Sequence, residues 1–238
     1  MKVEPKGAFP YKPPSKKILK KYDHIFQIQE SLPDRFWKLV FDKAFSFLII
    51  ILSFPLILIV CVSYIIEGFL IKENKGPIFF FYWAVSGGKR FAKYKIRLIK
   101  QEFIDQNLAR ENNWLAYSSE WSEESRTFTG SFVKKYYLDE IPQFFSILKG
   151  EMSIVGPRPL SEMHYERDIV QGNVTRKLLK GGMLGLGHIN KGTDLMGDAS
   201  FEYEYIDEYL KRSSFSLMCL DIWIIYKGII LIIKGGGH

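Results

Sequence analysis

The chain has 238 residues and carries 33 Lys and Arg against 26 Asp and Glu, for a net charge of +7. This length allows one domain plus extensions, and 47% apolar residues is an ordinary globular fraction, so the core need not be a membrane segment alone. The positive charge suits an anionic partner (phospholipid headgroups, a phosphorylated substrate or nucleic acid) or simply a basic soluble surface. Cys61 and Cys219 lie far apart in apolar runs, which argues against a disulfide framework or a cysteine metal site and fits a reducing cytoplasm.

Residues 1–35 are predicted to form an N-terminal extension. The segment is first rich in proline and lysine, and residues 18–28 then form a short amphipathic stretch. This pattern predicts either a helix on a membrane surface or an ordinary packed helix. A secretory signal is not expected, because the apolar run begins late and no small-residue cleavage site follows it.

Residues 45–66 contain no charged side chain. As a straight helix this segment would extend about 33 Å, enough to cross the hydrocarbon core of a bilayer. We therefore predict that residues 36–72 form a membrane-inserted region.

Two features favour a re-entrant hairpin over a spanning helix in this region. Pro55 removes a backbone hydrogen bond near the middle, so a bend is expected there, and Ser53 could satisfy a freed carbonyl. Lys and Arg are abundant on both sides, whereas a spanning helix shows an excess on one side. A bend that returns both ends to the cytoplasm accounts for both features. A spanning helix with a proline kink is the alternative.

Residues 73–233 predict a small cytosolic domain, giving an α+β chain that is mostly helical. Residues 75–81 and 91–98 predict strands joined at Gly87-Gly88 as a β-hairpin. Helices are predicted at residues 103–110, 139–148, 161–170 and 201–211. A loop with broken helix is predicted at residues 112–131, and loops at 155–160 and 181–187, the last flexible or approaching a phosphate.

The C-terminal part of the chain also contains a long apolar stretch, residues 216–233. Asp221 and Lys227 interrupt it, which favours an amphipathic helix lying on the membrane interface or packed against the domain over a membrane span. Residues 234–238 have the composition of an expression scar and are excluded from the fold prediction.

The sharpest chemical feature is the pair of adjacent carboxylates Asp139 and Glu140 at the predicted start of a helix. Free N–H groups and the positive end of the helix dipole favour an anion there. Adjacent acids also attract Mg²⁺, which bridges carboxylate and phosphate oxygens. The simpler interpretation is a pair that caps the helix.

Basic side chains provide two further candidates. Arg158 stands between Pro157 and Pro159, and a guanidinium on so stiff a backbone suits bidentate recognition of phosphate. Lys95 and Arg97 alternate along a predicted strand and therefore share one face. A rigid surface turn and solvated charges are the respective alternatives.

The order of these features resembles the bacterial sugar transferase family, the monotopic polyprenyl-phosphate phosphoglycosyl transferases. The matching motifs are the proline-containing apolar segment, Gly76-Pro-Ile-Phe-Phe, Lys95-Ile-Arg97, Leu138-Asp-Glu-Ile-Pro-Gln and Leu148-Lys-Gly-Glu-Met-Ser-Ile-Val-Gly-Pro-Arg-Pro-Leu160. The resemblance covers residues 36–233 and is most specific over residues 138–160.

This resemblance implies transfer of a sugar 1-phosphate from a nucleotide diphosphate sugar, expected to be UDP-linked, to undecaprenyl phosphate, which initiates lipid-linked glycans such as exopolysaccharide. Asp139 corresponds to the nucleophile that forms a phosphosugar ester, and Glu140 to the second acid of the dyad, with Mg²⁺ neutralising the diphosphate. The positions expected to contact phosphate are Lys95, Arg97, Arg158 and Lys134, the last in place of the family's usual arginine.

The resemblance also implies a location at the cytoplasmic face of the bacterial inner membrane, in contact with phospholipid. It leaves a homodimer open and gives no role to nucleic acid. The sequence departs from the family at Phe54, where serine usually precedes the proline, at residues 82–86, where a Gln-x-Arg-x-Gly stretch is usual, and at residues 180–190. A non-catalytic member that scaffolds a glycan-assembly complex is the alternative favoured by these departures and opposed by the intact acid pair.

Overall fold

The computed structural model describes residues 4–187 and 197–233. The helices are α1 (Lys16–Lys21), α2 (Asp23–Phe26), α3 (Phe36–Leu70), α4 (Gln106–Arg110), α5 (Phe128–Lys135), α6 (Gln143–Lys149), α7 (Glu162–Val170), α8 (Thr175–Leu178), α9 (Ser200–Lys211) and α10 (Ser214–Ile233). The strands are β1 (Phe79–Ser86), β2 (Lys89–Ile96), β3 (Ser153–Val155), β4 (Leu160–Ser161) and β5 (Gly182–Leu184). The prediction of a mostly helical α+β chain is confirmed. The predicted segment 234–238 and part of the 180–190 stretch lie outside the described residues.

The predicted membrane segment lies within α3, which is continuous through Pro55. Within the described residues, α3 alone is long and apolar enough to cross a membrane, and only 11% of its most apolar window is buried. Side chains along its middle are largely exposed, including Leu52 at 66%, Phe54 at 65% and Ile59 at 65%. Such a continuous apolar surface is unfavourable in water, so α3 indicates membrane association. Because α3 is continuous, the structure does not show a hairpin within its described residues, Phe36–Leu70, and the re-entrant hairpin stays a prediction.

Ser53 makes a local backbone contact next to the proline. Pro55 has no N–H to donate to the carbonyl of Ile51, four residues earlier. The hydroxyl of Ser53 donates instead to the carbonyl of Ile50, one residue before Ile51, at 3.3 Å. The hydroxyl therefore contacts the carbonyl next to the freed one, in a geometry that often bends helices.

The described residues divide into two compact units. The first unit comprises residues 4–8, 46–83 and 92–146, and the second comprises residues 9–45, 84–91, 147–187 and 197–233. The predicted N-terminal extension thus contributes mostly to the second unit, where Tyr22 is 3% and Ile25 is 0% exposed. Tyr22 and Phe26 stack against the ring of Tyr203. Of the two interpretations of residues 18–28, the structure supports the packed helix.

The core of the first unit forms around the C-terminal half of α3. Val60 and Tyr64 are buried there. They pack in one apolar cluster with Ile96, Leu98, Ile99, Ile104, Val133 and Leu138. Tyr64 also donates its hydroxyl to the carbonyl of Arg97. Because Leu138 directly precedes Asp139, this cluster fixes the backbone that carries the acid pair.

A β-hairpin connects segments of both units. Gly87 and Gly88 have φ values of 56° and 71°, the left-handed conformation that a two-residue type I′ turn requires at both positions. The predicted hairpin is therefore confirmed, with β1 extending five residues beyond the predicted end at residue 81. β4 adds to β1 in antiparallel register, with Ala84 opposite Ser161. Its two residues were too few to show alternation in the sequence.

In the second unit, β3 and β5 form a parallel pair with Ser153 opposite Gly182. A Cβ on Gly182 would lie 2.1 Å from the backbone nitrogen of Gly156, so these two backbones approach too closely for side chains. The prediction of a flexible or phosphate-approaching loop at residues 181–187 is therefore wrong for residues 182–184. The glycines there serve close strand packing.

The other predicted helices are largely confirmed. α7, α9 and α10 begin and end within two residues of the predicted bounds, and α4 is shorter than predicted. In α10, Leu217, Asp221 and Ile224 are fully buried, so this helix is packed along one face against the second unit. The loop predicted at residues 112–131 contains a 3₁₀ helix, Trp114–Trp121, and the start of α5.

Candidate active site around Asp139

Asp139 lies in a short 3₁₀ helix, Leu138–Glu140, and not at the start of a longer α-helix as predicted. Pro142 separates this turn from α6, which begins at Gln143. Tyr137 enters the turn with a φ of 56° and a ψ of 23°, an unusual left-handed conformation for a residue other than glycine. Backbone strain of this kind is enriched at functional sites.

The Asp139 carboxylate is 1% exposed. Its Oδ2 lies 2.9 Å from Nζ of Lys95, at an ion-pair distance. Among the described residues, however, neither carboxylate oxygen accepts a hydrogen bond of normal geometry. Buried carboxylates usually have their oxygens satisfied, so this one retains acceptor capacity. Glu140, the next residue, is half-buried.

Lys95, near the end of β2, lies between two carboxylates. Besides its contact with Asp139, its Nζ lies 3.4 Å and 3.3 Å from the two carboxylate oxygens of Glu120. Burial lowers the pKa of Lys95, but Asp139 and Glu120 outweigh this effect and hold the pKa well above its usual value. Lys95 is therefore a buried, fixed positive charge beside Asp139.

Glu120 was not predicted from the sequence. It lies at the end of the 3₁₀ helix Trp114–Trp121 and is 8% exposed. Nε of Arg126 donates to the backbone carbonyl of Glu120 at 3.0 Å. Burial would raise the pKa of Glu120, but Lys95 and Lys134 together lower it below its usual value. A glutamate in a polar segment carries no pattern that distinguishes it from a solvated residue.

Arg97 lies just beyond β2, and its side chain is 1% exposed. Its Nε, Nη1 and Nη2 donate to the backbone carbonyls of Pro77, Ile99 and Asn74 at 2.8, 2.5 and 2.8 Å. The predicted shared face of Lys95 and Arg97 is the buried one. In this arrangement the guanidinium holds the chain around the start of β1.

In the second unit, Arg158 is half-buried between two buried prolines. Its backbone carbonyl accepts a hydrogen bond from Nε of Arg176 at 2.9 Å. A Cβ on Gly181 would lie 2.6 Å from the Cβ of Pro159, so the turn also packs closely against the residue that precedes β5. Contacts with Arg176 and Gly181, both outside the turn, therefore help to hold its backbone in place.

Arg176 is the second residue that the sequence did not reveal. Nη1 donates to Asp168 at 2.7 Å, Nη2 donates to Glu202 at 2.5 Å, and the ring of Tyr11 lies 4.0 Å from the guanidinium carbon. Burial lowers the pKa of Arg176, but the nearby acids and Tyr11 raise it overall. The cluster holds the Pro-Arg-Pro backbone from within the unit.

A metal site made by protein side chains alone is not apparent. Over residues 4–187 and 197–233, no group of three or more His, Cys, Asp or Glu side chains is placed to hold a metal ion. A site completed by substrate needs fewer protein ligands, because Mg²⁺ commonly binds through one or two carboxylates plus substrate phosphates.

The fold and the site together define a membrane-associated α+β protein with a buried carboxylate–lysine cluster. The family model for bacterial sugar transferases matches residues 33–235, so the chain belongs to the bacterial sugar transferase family. This finding confirms the resemblance drawn from the motifs.

Individual relatives agree with this assignment. The undecaprenyl-phosphate galactose phosphotransferase of Salmonella typhimurium is 30% identical over 90% of this chain and 44% of its own length. A UDP-glucose:undecaprenyl-phosphate glucose-1-phosphate transferase of Klebsiella pneumoniae is 29% identical over 78% of this chain and 36% of its own length. The exopolysaccharide production protein ExoY of Sinorhizobium fredii is 27% identical over 82% of this chain and 81% of its own. This chain spans less than half the length of the first two.

Proposed function

We propose that the chain transfers a sugar 1-phosphate from a UDP-linked sugar to undecaprenyl phosphate through a covalent intermediate on Asp139. The names of the Salmonella and Klebsiella relatives support this class of donor and acceptor. The observation that carries the proposal is the Asp139 carboxylate, which is 1% exposed, accepts no hydrogen bond of normal geometry from the described residues and lies beside a charged lysine.

In the first step, a carboxylate oxygen of Asp139 attacks the β-phosphorus of the donor. A phosphorus–oxygen bond to Asp139 forms while the bond to the bridging oxygen breaks, and UMP leaves with the electron pair of that bond. In the second step, an oxygen of undecaprenyl phosphate attacks the same phosphorus and the Asp139 carboxylate is released. The covalent intermediate divides one difficult transfer into two easier ones. Lys95 stabilises the charge that develops on the phosphoryl oxygens.

We propose Mg²⁺ as the cofactor, held by Asp139 and Glu140. The residues fit such an ion, because both carboxylate oxygens of Asp139 are buried without a hydrogen-bond partner among the described residues. When bound, Mg²⁺ would neutralise the diphosphate of the donor. Glu140 adds a second oxygen ligand in the next position of the chain.

We propose that Arg158 and Lys134 bind phosphate groups of the substrates. Arg158 is held on a stiff turn, which suits bidentate recognition of phosphate. Lys134 lies in the last turn of α5, and its charge acts on Glu120 in the same unit as Asp139. Arg97 is 1% exposed and three of its five guanidinium N–H groups already donate to backbone carbonyls, so we rank it behind these two as a phosphate contact.

We propose that α3 enters and leaves the cytoplasmic leaflet as a re-entrant hairpin, in contact with phospholipid. Near its start, Lys38 bonds to Asp221 at 2.6 Å inside the second unit, and near its end Glu67 accepts N–H bonds at 2.7 and 2.9 Å inside the first unit. Lys and Arg are abundant on both flanks of the apolar segment, whereas a helix that crosses a membrane shows an excess on one side, which favours placing both ends of α3 at the cytoplasmic face.

Topology is tested by cysteine labelling in intact cells. Lys16→Cys and Lys75→Cys, each in a background with Cys61→Ser and Cys219→Ser, place a thiol on either flank. A membrane-impermeant maleimide should label neither site until the inner membrane is permeabilised. Labelling of either thiol in cells with an intact inner membrane contradicts the hairpin.

The activity is tested with UDP-glucose, UDP-galactose and UDP-N-acetylgalactosamine, together with undecaprenyl phosphate and Mg²⁺. We expect release of UMP and sugar-labelled lipid with at least one donor. Asp139→Asn should reduce UMP release at least about a thousandfold, as loss of a nucleophile does in other covalent enzymes. Asp105→Asn, a helix cap outside the site, is the matched control and should be active. Equal activity of the Asp139→Asn and Asp105→Asn variants would exclude the covalent mechanism, and no UMP release by the unmodified chain would exclude the activity with these donors.

A further inference from the structure

Glu120 is the second carboxylate in contact with Lys95, besides Asp139. We propose that Glu120 is a positioning residue for the transfer reaction, which keeps Lys95 in place and electrically compensated while Asp139 carries the phosphosugar. This inference rests on the proposed function and adds to it a residue outside the acid pair.

The geometry shows one ammonium group shared by two carboxylates. Nζ of Lys95 lies 2.9 Å from Asp139 and at least 3.3 Å from either oxygen of Glu120. The ammonium is therefore drawn more closely to Asp139 in this state, and Glu120 is its second partner. All three side chains are buried, at 5%, 1% and 8% exposure for Lys95, Asp139 and Glu120.

The reaction changes the charge of one partner only. Attack by Asp139 converts its carboxylate into an acyl phosphate, and the negative charge then lies on the phosphoryl oxygens and on the departing UMP. Glu120 forms and breaks no covalent bond in this step and exchanges no proton. Its carboxylate is therefore the constant anionic partner of Lys95 through both steps. A buried ammonium that lost its partners would be strongly destabilised.

The attachment of Glu120 to the unit suits this role. Arg126 bonds to the backbone carbonyl of Glu120, and Ser125 donates to the carbonyls of Ser119 and Ser122 at 2.5 and 2.8 Å. These bonds fix the end of the 3₁₀ helix from which the Glu120 side chain reaches Lys95. A fixed carboxylate sets the position of the lysine, and misplacement by about 1 Å can cost a hundredfold in rate.

The test compares Glu120→Gln with Glu124→Gln in the full chain. Glu124 is exposed and lies four residues further along, so it controls for loss of one acidic charge in the same segment. UMP release is measured at varied concentrations of the three UDP-sugars. We expect Glu120→Gln to lower kcat by about tenfold or more while the donor KM changes less than about threefold, because the lost interaction matters most in the reacting state. Glu124→Gln should match the unmodified chain.

A conservative variant separates positioning from folding. Glu120→Asp keeps the charge but shortens the side chain, and we expect a kcat between those of the unmodified chain and Glu120→Gln. If Glu120→Gln does not fold, as judged by thermal unfolding in detergent, Glu120→Asp carries the test by its lowered kcat with an unchanged donor KM.

The outcomes distinguish this inference from the function on which it rests. Activity of the unmodified chain with equal kinetics for Glu120→Gln and Glu124→Gln overturns the role of Glu120 alone. An effect confined to the donor KM, or full kcat in Glu120→Asp when Glu120→Gln does not fold, also overturns it. Absence of UMP release by the unmodified chain overturns the proposed function and this inference together.

Discussion

The two units each contain a buried basic residue between two carboxylates, yet the two clusters differ in how their hydrogen bonds are satisfied. In the second unit, Arg176 donates to Asp168, Glu202 and a backbone carbonyl, at distances of 2.5 to 2.9 Å. In the first unit, Asp139 faces Lys95 and, within the part of the chain that the structure describes, accepts no hydrogen bond of normal geometry, although it is equally buried.

We infer from this difference that the Arg176 cluster has a structural role and that Asp139 is available to bind a ligand. In the Arg176 cluster every carboxylate oxygen already accepts a hydrogen bond from the protein, so these side chains stabilise the fold. A buried carboxylate without hydrogen-bond donors is less favourable in the resting protein, and under the proposed function it would gain partners from substrate or metal. We therefore expect substitutions in the second cluster to affect stability and substitutions at Asp139 to affect activity.

The largest expected effect on stability follows from removing Arg176. Arg176→Met leaves the buried carboxylate of Asp168 and the half-buried one of Glu202 without their cation, which costs about 3–5 kcal/mol of unfolding free energy. Denaturant unfolding in detergent measures the change, and Arg110→Met, at an exposed position, is the control. A loss of less than about 1 kcal/mol would remove the structural role assigned to this cluster.

A smaller effect is expected from filling the close contact beneath the Pro-Arg-Pro turn. Gly182→Ala places a Cβ 2.1 Å from a backbone nitrogen, so the parallel strands must separate. Overpacking of this kind costs about 1–3 kcal/mol. Gly187→Ala is the matched control, because a Cβ there meets nothing within 4 Å. Equal unfolding free energies for the two variants would show that the turn does not depend on this packing.

The smallest expected effect concerns Glu67. It tests whether a carboxylate whose hydrogen bonds are satisfied is structural even in the unit that contains Asp139. Glu67 is buried in the first unit and accepts bonds from the N–H groups of Phe128 and Thr129, at the start of α5. Glu67→Gln should cost about 1–2 kcal/mol, because charge-assisted bonds to a helix start are lost.

The control for Glu67→Gln is Glu73→Gln, at an exposed position near the end of α3. Asp139→Asn in the same unit provides the sharper comparison. It should cost less than Glu67→Gln, since Lys95 keeps Glu120 as a partner. A larger loss of stability for Asp139→Asn would contradict the distinction between the two kinds of carboxylate.

The elements with a strong local signal were predicted correctly. The apolar run, the Gly87-Gly88 turn and the periodic helices at residues 161–170 and 201–211 are determined mainly by neighbouring residues. β4 and β5 were not predicted, because strands of two and three residues acquire their identity from a partner strand elsewhere in the chain. Pro142 divided the predicted helix at Asp139 into a 3₁₀ turn and α6.

The site shows the same division between motif and environment. Asp139, Glu140 and Arg158 stand out in the sequence because they occur in motifs. Glu120 and Arg176 have no motif, and their roles come from tertiary contacts with Lys95 and with the backbone of Arg158. The phosphate role of Arg97 was implied by the family resemblance, which could not show that three backbone carbonyls surround its guanidinium.

The contact between Tyr11 and Arg176 shows that the folded second unit includes residues that precede the family match. The family match begins at residue 33, whereas Tyr11, Tyr22 and Ile25 already pack into the second unit. A gene fragment cut at the start of the match would encode every family motif and still uncover the ring of Tyr203 and one face of the Arg176 guanidinium. The family match is thus shorter than the part of this polypeptide that closes the interior of the second unit.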